Sequence, residues 1–157
     1  AARSGLDTAD SEVRRLQTLL ALDRGAAVPV PQRVGLSELL RPALAMAQSR
    51  AHSMHVTVHV DISPTAPRVI ADPLHVQAAL TTILANAVAQ APDGGEMSIV
   101  AGEGEPGRIR IAVEHGGAID LLAEPPLDMR LARRLIVLQH GSLPEATGQT
   151  IVELPSE

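Results

Sequence analysis

Residues 71–95 read ADPLHVQAALTTILANAVAQAPDGG, and the two ends of this stretch punctuate a helix. Asp72 offers a side-chain acceptor at the N-cap position. Pro73 brings a pre-set φ to the first helical position, where a missing N–H costs nothing. Val76, Leu80, Ile83 and Ala87 recur at i, i+4, i+7 and i+11, which predicts a core-facing stripe. Thr82, Asn86 and Ala89 line the neighbouring face. The run ends at Ala91, before Pro92, Asp93, Gly94 and Gly95. Asn86 is the polar residue in this helix that asks for a chemical reason.

The flanking chain reads as alternating strands and helices. Val34 to Arg50 predicts a helix with Leu36, Leu39, Leu40, Ala43, Leu44 and Ala47 buried. Pro42 is expected to kink it or confine it to its first turns. His55 to Ile62 alternates with Val56, Val58, Val60 and Ile62 on one face, the pattern of a half-buried strand. Arg68 to Ala71 is a short strand leading into Asp72. Glu96 to Gly102 and Arg108 to Glu114 are two further strands, joined through Glu103 to Gly107 by hairpin-type turn chemistry. Asp128 to His140 predicts a helix with Leu131, Leu135, Val137 and Leu138 inward, Arg130, Arg133 and Arg134 outward, and Gly141 as its stop. Gln149 to Leu154 is a last strand. Such an order predicts an α+β fold, a two-layer α/β sandwich with helices on one face of a mixed sheet.

Before this domain, residues 1–24 carry Val13, Leu16, Leu19 and Leu20 at helical spacing, an apolar edge that must be buried against something. Residues 25–31 (GAAVPVP) read as a linker or edge strand because two prolines remove ladder donors. The expected division is therefore a helical segment over 1–24 and one domain over 25–157.

Composition narrows the function classes. The 157-residue chain carries a net charge of −5, and every basic residue apart from histidine is arginine, since no lysine is present. No basic stripe suits a nucleic-acid backbone, and without Phe, Tyr or Trp there is no platform on which bases stack. Zero cysteine removes disulfides, thiolate metal sites and cysteine nucleophiles. No run approaches the length of a membrane span, so a cytoplasmic protein without membrane contact is expected. His52, His55 and His59 lack accompanying carboxylates in a ligand pattern, and no metal site is expected there.

The run Thr82, Ile83, Leu84, Ala85, Asn86, Ala87, Val88, Ala89, Gln90, closed by Pro92-Asp93-Gly94-Gly95, resembles the N-box helix of histidine-kinase-type ATPase domains. Val34-Gly35-Leu36-Ser37-Glu38-Leu39-Leu40 is similar to the entry signature of that family. Leu138 to Ser142 resembles its helix-terminal "E-x-H-G-G", and Gly148 to Pro155 its closing strand. The resemblance covers about Val34 to Pro155 and implies the Bergerat-type histidine-kinase ATPase fold. It also implies that Asn86 is the Mg²⁺-ligating amide, a hard oxygen donor suited to that cation.

Other positions depart from the family pattern. Ala89 stands where the family carries a basic residue, and losing one charge-assisted phosphate contact, worth on the order of 1.5–3 kcal/mol, weakens affinity roughly tenfold to a hundredfold. Thr82 stands where a carboxylate or amide is common. His115, followed by Gly116 and Gly117, takes the place of the Asp that accepts from the adenine amino group. Glu114 cannot substitute, because adjacent strand residues point to opposite faces. The lid between the two glycine boxes is reduced to residues 120–126, and Leu127 and Met129 stand where its glycines would be. Leu121, Leu122, Leu127 and Met129 are expected to plug the vacated pocket or to offer an apolar docking surface.

The resemblance thus implies a degenerate member with a vestigial nucleotide site at Asn86, His115 and Gly117, no catalytic residue and no cofactor. It would be a regulatory or protein-binding module of two-component signalling. Its partners would be kinase dimerisation helices, a receiver domain, or a second copy held through the N-terminal helix. That helix is then the tail of a dimerisation hairpin, or else it packs on its own domain. Two alternatives stay open. One is a divergent active kinase binding Mg-ATP, with Arg130 or Arg133 on the phosphates. The other is a phosphotransfer adaptor, which needs a phosphoacceptor His ahead of Ala1.

Overall fold

The computed structural model describes residues 28–116, 127–146 and 149–157. In chain order its elements are β1 (Gln32–Val34), α1 (Leu36–Ser53), β2 (Thr57–Ile62), β3 (Val69–Ala71), α2 (Pro73–Gln90), β4 (Glu96–Glu103), β5 (Arg108–Glu114), α3 (Leu127–Leu138), β6 (Glu145–Ala146) and β7 (Gln149–Pro155). Five strands form one sheet in the order β2-β4-β5-β7-β6, and β1 pairs with β3 in a separate two-stranded ribbon. β2 runs parallel to β4, and the other pairs of the large sheet are antiparallel, so the sheet is mixed. The predicted α+β sandwich is the fold observed. The helices cover one face of the sheet, with α2 packed between α1 and α3.

Alternation in the strands builds that layer. Met97, Ile99 and Ala101 of β4, Ile109, Ile111 and Val113 of β5, and Val152 and Leu154 of β7 are all buried. They meet Val76, Ala79, Leu80, Ile83, Leu84, Ala87 and Val88 of α2 in one continuous core. Burying each Leu or Ile is worth about 1.5–3 kcal/mol, so α2 is the chief contributor to cohesion between the layers. Without aromatic residues the core is filled by branched aliphatic side chains, alanines and Met97.

Several local expectations are corrected. α1 runs unbroken for 18 residues with Pro42 inside it. Pro42 is on the exposed face, where water can satisfy the carbonyl it leaves unpaired, while Leu39, Leu40, Ala43 and Ala47 hold the other side in the core. β2 is an edge strand paired only to β4, so Val60, expected inward, is 38 % exposed. In α3 the buried residues are Leu131, Ala132, Leu135 and Ile136, whereas Val137 is 57 % exposed. The stripe follows i, i+1, i+4, i+5, and Val137 lies two residues past Leu135, on the far side of the helix.

The stop of α3 also differs from expectation. His140 takes the left-handed conformation (φ 61), its N–H donating to Val137 O while Gly141 N–H donates to Ile136 O, both at 3.0 Å. These are the two bonds of a Schellman cap with a non-glycine residue at its turn. Gly141 serves a different need, since a Cβ there would lie 2.4 Å from the backbone oxygen of Glu153. α1 ends the same way, with His55 at φ 59 and Val56 N–H on Ala51 O at 2.8 Å. β1 and β6 carry no sequence signal of their own; each has only two or three residues, too few for a periodic pattern.

Candidate functional site

Asn86 lies in the fourth turn of α2 on a half-buried flank, with Thr82 half-buried one turn before it and Ala89 exposed after it. α2 carries no Lys or Arg. A groove of about 400 Å³ between α1 and α2, lined by Met46, Arg50, Thr81 and Ala85 among others, opens on a different flank. Thr81 stands about 140° around the helix from Asn86 at about 100° per residue.

His115 directly follows β5 and continues its inward register after Ile109, Ile111 and Val113. It is 1 % exposed, and burial alone holds its ring below the usual histidine range, favouring the neutral form. α2, which carries Asn86, packs on β5, the strand that His115 directly follows. Gly116 has φ +68, with open space where a side chain would be, so its glycine serves the left-handed backbone. Glu114 points to the outer face and accepts from Gln149 Nε2 at 3.4 Å.

Gly117, Leu121 and Leu122 lie outside the described residues, as do the helix expected over 1–24 and the shortened lid at 120–126. Leu127, the first residue of α3, is 45 % exposed. Met129 packs partly against the core. Arg130 is exposed and Arg133 half-buried on the same helix.

A second polar centre sits at the start of α2. Asp72 caps the helix, Oδ1 accepting from Leu74 N–H at 3.0 Å and His75 N–H at 3.4 Å. Its Oδ2 accepts from Val30 N–H at 2.9 Å. Burial pushes this carboxyl up, but the Val30 N–H, the neighbouring His75 ring and the two helix N–H groups outweigh it and hold the carboxyl below its ordinary value. The Asp72 N–H donates to Gln139 Oε1 at 2.8 Å across 67 residues of chain. Gln139, 4 % exposed at the end of α3, also meets His75 Nδ1 at 3.3 Å. Sequence reasoning identifies Asp72 as a cap but misses Gln139 and His75. A signal existed: with His75 at N3 there is no Glu or Gln to return to the N-cap N–H, so that buried donor had to find its acceptor elsewhere.

Of the remaining histidines, His55 serves the α1 cap and His59 lies 3.7 Å from Glu96 Oε1 on an exposed surface. Among the described residues no three His, Cys, Asp or Glu side chains converge on a cation site. No helix among them is long and apolar enough to cross a membrane.

No protein-family model matches the sequence, and no curated protein sequence matches it. Solved structures do. The chain is similar to the Acinetobacter baumannii histidine kinase AdeS (TM-score 0.79, 16 % identity, 97 % of this chain and 79 % of that one). It is similar to full-length ShkA in complex with AMPPNP (TM-score 0.76, 21 % identity), covering 96 % of this chain and 37 % of ShkA. The catalytic domain of the histidine kinase ThkA matches over 81 % of this chain and 97 % of its own length, at TM-score 0.70 and 18 % identity. The fold is that of histidine kinase catalytic domains.

Proposed function

We propose that this domain, built on the histidine kinase catalytic fold, works in two-component signalling as a regulatory, protein-binding module that holds ATP weakly or not at all. The observation that carries the reading is the pair His115 and Ala89. Where the resemblance calls for a carboxylate to accept from adenine there is a buried imidazole whose burial favours its neutral form. Where it calls for a phosphate-binding cation there is an exposed methyl group, and the chain has no lysine to replace it. Asn86 retains a half-buried amide suited to Mg²⁺, but one neutral oxygen gives a divalent cation little charge compensation without bound phosphates. The described residues therefore fit a magnesium nucleotide poorly.

What remains is a two-layer domain whose partners, on this reading, are kinase dimerisation helices or a receiver domain. Titration of the 157-residue chain against such a dimerisation hairpin and receiver, in nucleotide-free buffer, tests it. A complex with Kd near micromolar or tighter is the expected result. Binding that appears only when Mg-ATP is added contradicts the proposal and favours a divergent active kinase.

A further inference from the structure

His75 occupies the N3 position of α2, whose capping-box partner would be the N-cap N–H. That N–H is taken by Gln139 Oε1, which fixes the orientation of the Gln139 amide and leaves its NH₂ facing His75 Nδ1. An amide NH₂ only donates, so this contact requires Nδ1 to accept, which the Nε2–H tautomer of the ring can do. The same Nδ1 lies 4.0 Å from Asp72 Oδ2, the oxygen that holds the Val30 N–H.

We infer that His75 is a proton-operated switch between two partners at the point where the chain enters the domain. Neutral, its Nδ1 accepts from Gln139 and ties α2 to α3. Protonated, Nδ1–H is repelled by the Gln139 NH₂ and drawn to Asp72 Oδ2, where it competes with Val30. Histidine is the side chain suited to such a change across the physiological range. Asp72 stays ionised there, because its carboxyl is held below the ordinary value.

Among the described residues, Asp72 and Gln139 lie against the ring. From α2 the charged neighbour is Asp72. From the end of α3 comes the neutral Gln139 amide. Among the described residues of the entry segment, the Val30 N–H reaches this centre through Asp72 Oδ2. The positive end of α2 opposes a charge on His75, and the Asp72 carboxylate favours it.

The entry segment is sensitive to this exchange because Val30 lies between Pro29 and Pro31, which have no N–H. Val28 and Val30 are 72 % and 64 % exposed, so their side chains contribute little anchorage. Among the described residues, the bond to Asp72 is what holds residues 28–30, and weakening it loosens this stretch.

Nuclear magnetic resonance of the 157-residue protein between pH 8 and 5 tests the switch. At pH 8 the His75 ring is expected as the Nε2–H tautomer. On acidification the backbone amides of Val30 and Asp72 should shift with the same midpoint as the ring, and the protection factor of the Val30 amide, corrected for the intrinsic slowing of exchange at lower pH, should fall roughly tenfold. His75→Gln should retain the fold by circular dichroism and abolish both changes. An Nδ1–H tautomer at pH 8, or a Val30 amide that stays fixed while the ring titrates, overturns the inference. The wild-type midpoints separate these outcomes whether or not the variant folds.

Discussion

The two ends of α2 treat polar groups differently. At its start the Asp72 carboxylate accepts three backbone N–H groups, and the Asp72 N–H is itself satisfied by Gln139. That end joins the entry segment, α2 and α3. In the last turns, Asn86 is flanked by Thr82 and by an exposed Ala89, with no basic Lys or Arg side chain anywhere on the helix. What holds the layers together is complete at one end, and what would hold a charged ligand is thin at the other. A fold can thus keep its frame while the groups that would bind a ligand change.

The largest effects should fall at the saturated end. Asp72→Ala removes a helix cap and the anchor of Val30 together, and is expected to cost about 2–3 kcal/mol in urea unfolding. Gln139→Leu leaves the Asp72 N–H buried without an acceptor, a loss of about 1–3 kcal/mol by the same measurement. If either variant unfolds like the wild type, the two ends of α2 are not different in the way described.

Acid titration separates the two polar centres further. The unfolded chain protonates His115 near the ordinary 6.5, while the folded chain does so only at lower pH. Between those values the unfolded state holds more protons. The stability due to His115 is therefore present above about 6.5 and lost as pH falls below it, and His115→Leu should flatten that limb of the curve. Asp72 acts in a more acidic window: its contribution is present above 3.8 and lost as pH drops through the folded value. Asn86→Ala should be the smallest change, within about 0.5 kcal/mol, because Asn86 is half-buried on a helix flank and outside the core.

The sequence shows α2 through residues that act locally: Asp72 and Pro73 start it, and the Val76, Leu80, Ile83, Ala87 stripe sets its inward face. β4 and β5 are equally legible, since strict alternation means one buried face. Other features escape because they depend on neighbours remote in sequence. Val60 looks like a core residue until β2 proves to be the sheet edge. Pro42 looks like a break until packing on the opposite face of α1 outweighs one lost backbone bond. Gly141 looks like the left-handed residue of the α3 cap, but His140 takes that role and Gly141 clears the β7 backbone. Gln139 has no local signal, because its partner is 67 residues away. At the positions that the resemblance assigns to a nucleotide site the residue types are legible at Asn86, Ala89 and His115, and the burial that disfavours a charge on His115 is not.

The central claim is that the histidine kinase catalytic fold persists here with little or no affinity for nucleotide. Calorimetric titration of the 157-residue chain with Mg-ADP tests it most directly. The expected result is no measurable binding, or a Kd on the order of millimolar. A one-site isotherm with a micromolar Kd that is lost in Asn86→Ala would contradict it.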